Sequence, residues 1–154
     1  MPNDVRIVNE EHSSPDVVTK ESQTSLRVTG EVVIQNPGIP IGADQILITD
    51  YDNIATQVDN VYVITSGKTM YIQGLLGSAE WNNVGGAVVE LWYDPNGTGV
   101  GMSLIAAGHC NGNTFSYPLA DAYLGDGTKA IRMRRITLGG GSLWIFGRIF
   151  GYEI

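Results

Sequence analysis

From residue 61 onward the chain is a series of short β-rich runs separated by turn-forming residues, and that rhythm fixes the class of fold open to it. Residues 61–65 and 69–73 flank Ser66-Gly67-Lys68. Residues 87–93 then lead through Asp94-Pro95-Asn96-Gly97-Thr98-Gly99 into residues 102–107. Asn111-Gly112 suits a tight hairpin, because both positions tolerate positive φ. Residues 114–117, the turn at Asp126-Gly127, residues 130–136, the Gly139-Gly140-Gly141 break and residues 143–152 complete the series. Runs rich in Val, Ile, Tyr and Trp fit a pleated, half-buried surface. Turn signals spaced about 8–12 residues apart are those of sandwiches and barrels. Only residues 119–124 suit even one helical turn. The expectation is an all-β protein, an antiparallel β-sandwich of about seven or eight strands, wound as a jelly roll.

Ahead of this body the chain reads differently. Residues 1–24 are polar and aperiodic and read as an extended N-terminal arm. Residues 25–59 form a connecting segment with two strand-like runs, 25–35 and 46–49, the second closed by Asp50-Tyr51-Asp52-Asn53. Residues 60–154 are the sandwich body. The net charge of −7 divides the same way: ten acidic and three basic side chains lie in residues 1–59, and six of each in residues 60–154. Charged residues make 16% of the chain, against about 25% in ordinary domains. An acidic protein with a neutral body lacks the basic footprint of nucleic-acid or anionic-membrane binding. One cysteine, Cys110, leaves no intrachain disulfide, which fits a reducing compartment. The N-terminal residues resemble no secretory leader, and no run approaches the roughly 18 apolar residues of a membrane helix.

Chemistry-bearing motifs are sparse. His109 and Cys110 are adjacent, so on a strand they point to opposite faces, whereas a catalytic Cys–His pair meets across the fold. Zinc spacings, phosphate loops and nucleophile elbows do not occur. Asp94 to Gly99 partly resembles a calcium loop, but the position for its bidentate carboxylate falls on Ile105, and a Pro-Asn-Gly turn explains the same residues. Glu90 or Asp94 could serve glycoside hydrolysis only opposite a second carboxylate. The expectation is a protein that is not an enzyme and has no cofactor or metal.

Two segments point to partners instead. Arg132 and Arg134 share one face of a strand, with Ile131, Met133 and Arg135 on the other. This basic strand is a candidate contact for an acidic arm or partner. The C-terminal run is apolar on both faces, with Trp144, Phe146 and Phe150 on one and Ile145 and Ile149 on the other, which suits a covered strand or a homo-oligomer interface.

Residues 86–97, reading GAVVELWYDPNG, residues 125–135, reading GDGTKAIRMRR, and the polar N-terminus together resemble small virion proteins of tailed bacteriophages, the capsid decoration (cement) proteins and related head- or tail-fibre modules. The resemblance covers roughly residues 60–154. It implies a homotrimer on the virion surface, assembled in the host cytoplasm, contacting the major capsid protein or other virion subunits through its arms. The alternative it leaves open is a tail- or head-fibre module that binds host-surface carbohydrate, with Trp81, Trp92, Tyr93 and Tyr117 as stacking surfaces.

Overall fold

The computed structural model describes residues 39–154 and two short strands ahead of them. In the unit Met1–Asn36, strands β1 (Val5–Ile7) and β2 (Asp16–Val18) pair antiparallel, Val5 opposite Val18. The strand expected over residues 25–35 lies outside the described residues.

The unit Pro37–Ile154 is an all-β sandwich of eight strands. They are β3 (Asp44–Ile54), β4 (Gln57–Val63), β5 (Thr69–Ala79), β6 (Ala87–Asp94), β7 (Ser103–Cys110), β8 (Thr114–Leu124), β9 (Ala130–Thr137) and β10 (Leu143–Glu153). One sheet has the order β3-β10-β5-β8 and the other β4-β9-β6-β7, with every pairing antiparallel. The pairs β3·β10, β4·β9, β5·β8 and β6·β7 are nested, as if one long hairpin had been wound on itself.

Alternation along the strands builds the core. On β10, Leu143, Ile145, Gly147, Ile149, Gly151 and Glu153 are buried, and the residues between them look outward. Ile72 and Leu75 of β5, Val89 and Leu91 of β6, and Ile131 and Met133 of β9 meet them from the surrounding strands. Each fully buried Ile, Leu or Met contributes about 1.5–3 kcal/mol of burial. At the β7–β8 side, the Phe115 ring fills the space left by two glycines on opposite sheets. A methyl group on Gly77 would lie 2.5 Å from that ring, and one on Gly108 would lie 2.4 Å from it.

Three expectations change. The body begins at Asp44 rather than residue 60, because β3 and β4 supply an edge strand to each sheet. Asp50-Tyr51-Asp52-Asn53 does not close a strand but continues β3 to Ile54. Asp50 lies opposite Gly147 and Asp52 opposite Ile145, so both acids fall on the register of the sandwich interior. Residues 119–124 are strand too, part of β8, paired along β5.

Candidate interaction surfaces

The three arginines of β9 are each held inside the chain. Arg134 makes a bidentate pair with its cross-strand neighbour Asp59, Nε to Oδ1 at 2.9 Å and Nη2 to Oδ2 at 3.0 Å. Its guanidinium also sits 5.5 Å from the Trp92 ring, whose Nε1 donates to Glu90 at 2.7 Å. The Arg134 hydrogen bond holds Asp59 below the ordinary carboxylate value, and Asp59 in turn raises Arg134. Arg132 donates through Nε to buried Asp94 at 2.6 Å and through Nη2 to the Gly97 carbonyl at 3.0 Å. Asp94 also accepts from the backbone of Gly99 at 2.8 Å and Asn96 at 3.3 Å. Burial pushes the Asp94 carboxyl upward, but these bonds outweigh it and leave it lowered. The Asp94–Gly99 loop is thus a turn tied down by its own carboxylate and an arginine.

Arg135 is fully buried. It shares the inward face of β9 with Ile131 and Met133, so it cannot stand at a surface with Arg132 and Arg134. Gly147 opposite leaves the room: a methyl group there would lie 2.6 Å from the Met133 sulfur and 3.2 Å from Arg135 Cδ. Nη1 donates to the Ile145 carbonyl at 3.1 Å, and Nη2 to Asp50 and to Asn60 Oδ1 at 3.2 Å, with Asp52 at 3.6 Å. The Nε of this guanidinium is buried without a partner. Burial raises the Asp50 carboxyl. The Asn60 amide, the Arg135 charge and the Tyr51 N–H together more than reverse that.

The C-terminal strand divides as its alternation predicts, but only half of it reaches a surface. Ile145 and Ile149 are fully buried core residues, which removes them from any partner contact. Trp144, Phe146 and Phe150 project from the outer face of the β3-β10-β5-β8 sheet, alternating with the buried positions. There they join residues that the sequence did not single out. Tyr51 stacks on Trp144 with centroids 4.9 Å apart, and Tyr71 stacks on Tyr152 at 4.9 Å. Leu47, opposite Phe150, is 55% exposed. Gly74 of β5 is the seat of the Phe150 ring, since a methyl group there would lie 2.3 Å from Cζ. Arg148 lies over Phe146 at 5.3 Å and donates to Thr49 Oγ1 at 3.1 Å. The signal for Tyr51 and Leu47 was present as period-two alternation in residues 45–54, masked by two aspartates.

The remaining candidates fall elsewhere. Cys110 is buried, which pushes its thiol up to about 11, while the neighbouring His109 is exposed and lies 2.6 Å from the Gly85 carbonyl. Tyr93 stacks on Tyr123 at 4.2 Å and Tyr117 packs on Phe115 at 5.0 Å. Trp81 stands 71% exposed. Among the described residues, no group of three or more His, Cys, Asp and Glu gathers in a way that could hold a metal ion.

No protein-family model matches this chain, and no curated protein matches it. Among solved structures, one of infectious bursal disease virus, Gx strain, superposes with a TM-score of 0.36 at 12% sequence identity. The match takes in 79% of this chain and 36% of that one. A likeness of that size carries no weight on fold or role.

Proposed function

We propose that this chain is a structural virion protein: a decoration, or cement, subunit that assembles as a homotrimer on the head of a tailed bacteriophage, against the major capsid protein. The observation that carries the reading is the aromatic outer face of the β3-β10-β5-β8 sheet. Outward Leu47, Tyr71, Phe146, Phe150 and Tyr152 with Arg148 make a contiguous patch, and large apolar patches on soluble proteins mark contact sites. Tyr, Trp, Phe and Arg are the residues enriched in protein interfaces and their hot spots. The nested strand pairing suits a jelly roll, an architecture used by viral capsid and lectin domains alike, so the fold supports the reading without deciding it. A role in assembly rather than catalysis also suits arginines and carboxylates that pair with one another inside the chain.

Sedimentation of the purified protein, alone and with expanded phage heads stripped of decoration, tests this. The expected result is a trimer that co-sediments with heads, and a Leu47→Asp variant that keeps its circular-dichroism spectrum but sediments as a monomer. A wild-type monomer that stays in the supernatant beside such heads would overturn the reading.

A further inference from the structure

At the end of the first sheet where β5 stops and β10 starts, the β7–β8 turn closes one side of an open pocket of about 290 Å³. Drug-sized sites begin near ~300 Å³, so this one is scaled to a single small ring. Its walls are of two kinds. Tyr51 and Trp144 form a platform of two rings inclined at 27°, still 54% and 38% exposed. Ser78, Glu80, Asn113 and Thr114 supply hydroxyls, a carboxylate and an amide.

The polar wall is built, not incidental. Ser78 and Thr114 are cross-strand partners on β5 and β8. The Glu80 N–H donates to the Trp144 carbonyl at 3.1 Å and the Gly112 N–H to the Ala79 carbonyl at 3.0 Å, so the strand ends behind the pocket are tied together. Asn113 Oδ1 accepts from the Asn111 N–H at 2.7 Å, which fixes the amide's orientation and makes its Nδ2 a donor. Asn111 is itself held by Asn82, whose N–H donates to its Oδ1 at 2.6 Å and whose carbonyl accepts from its Nδ2 at 2.9 Å. Trp81 packs against this turn, its Cβ 2.8 Å from where a methyl group on Gly112 would sit. It adds a third exposed ring beside the site.

We infer that this pocket binds one neutral hexopyranose unit of a surface glycan. A pyranose has an apolar C–H face that lies flat on an aromatic ring and a rim of hydroxyls that both donate and accept. Trp144 and Tyr51 offer the ring faces, Glu80 accepts, Asn113 donates, and Ser78 and Thr114 do either. No cation is among the pocket's lining residues and Glu80 is negative, so phosphates, uronates and sialic acids are disfavoured. A quaternary ammonium would use the rings and Glu80 but leave the amide and hydroxyls without purpose. The site borders the assembly face, since Phe146 lies opposite Tyr51 and two residues from Trp144, but it lies well away from the far end of that face. On β10, Trp144 stands about 26 Å from the Tyr71–Tyr152 pair, eight residues on.

The test uses the full chain on an array of neutral and sialylated oligosaccharides. A fluorescence titration follows, with the methyl glycoside of the terminal hexose that binds best, and with choline in parallel. The expectation is selective capture of neutral glycans and millimolar affinity for the glycoside. Trp144→Ala and Glu80→Gln should each lose at least tenfold in binding, while Trp92→Phe, on the other sheet, keeps it. Glu80 is exposed, so its variant tests the site even if Trp144→Ala fails to fold. Leu47→Asp should bind the glycan as wild type does, which separates this site from the assembly face. Array signals no higher than those of Glu80→Gln, preference for sialylated glycans, or tighter binding of choline would each overturn the inference.

Discussion

Replacing Arg135 with methionine should destabilise the sandwich less than replacing Asp50 with alanine, although the two side chains belong to one ion pair. Arg135 has no exposed surface, and its Nε has no partner. Withdrawing such a cation from water costs several kcal/mol, and a buried unpaired donor adds about 1–3 kcal/mol. Methionine, two atoms shorter, flexible and uncharged, abolishes both terms. What it leaves behind is the Ile145 carbonyl, the Asn60 amide oxygen and, at the β3 edge, Asp50 and Asp52, whose side chains are 29% and 59% exposed and can be hydrated. Asp50 also keeps the Asn60 amide at 2.8 Å and the Tyr51 N–H at 2.9 Å. The net change should lie within about 1 kcal/mol of zero. Asp50→Ala does the opposite. It leaves the guanidinium in the interior with Asp52 at 3.6 Å and neutral acceptors. That should cost about 3 kcal/mol, at the low end for a broken buried pair because Asp52 remains. For a body of this size the difference is roughly 12 °C in Tm. Urea unfolding followed by tryptophan fluorescence measures both, with an unchanged m value confirming that only stability moved. The double variant should resemble Arg135→Met alone, not the sum. If Arg135→Met proved as costly as Asp50→Ala at the same m value, the pair would be a net source of stability and the desolvation reasoning would be wrong.

Acid should weaken the fold through the same kind of carboxylate. Asp50, Asp59 and Asp94 are all held below their usual 3.8 in the folded state, so the stability they add is complete above the unfolded-chain value and is lost as pH falls through the folded ones. The urea midpoint should hold from pH 7 to about 5 and drop below about pH 4, with a shallower drop in Asp59→Asn. Gly77→Ala should cost about 1–3 kcal/mol, since the new methyl group meets the Phe115 ring at 2.5 Å and Val89 at 2.9 Å. Combining it with Phe115→Leu should cost less than the sum of the two single changes, measured by the same unfolding assay.

How far the sequence speaks depends on whether a residue's reason for being there is local. The strands from β5 to β10 are legible because their turns carry their own chemistry, as at Asn111-Gly112 and Asp126-Gly127, and because alternation on β10 separates Ile145 and Ile149 from Trp144, Phe146 and Phe150. The inward direction of Arg135 is legible too, from its register with Ile131 and Met133. Its company is not. Asp50, 85 positions earlier, reads as turn chemistry until Arg135 is found beside it. The same turn-like aspartates mask Tyr51 and with it half of the aromatic platform. The pocket draws on β3, the end of β5, the β7–β8 turn and the start of β10, and no spacing rule links four segments whose proximity is created only by the pairing of the strands.

That pairing also sets a timetable. Thr49 and Arg148, joined at 3.1 Å across β3 and β10, are separated by 99 positions of chain. A ribosome adding about 5–20 residues per second needs roughly 5–20 s to make that stretch. Of the four nested pairs, only β6 and β7 are consecutive along the chain; the others close around them, and β3 with β10 closes last. Until β10 is made, β3 and β5 have no strand between them, and the aromatic face they flank does not exist. A nascent chain therefore cannot display its stickiest surface to neighbours on the same polysome. Three aspartates along β3 (Asp44, Asp50 and Asp52) keep that waiting edge charged and poorly suited to pairing with a stranger. The association proposed above would become possible only once the sheet that supports it is whole.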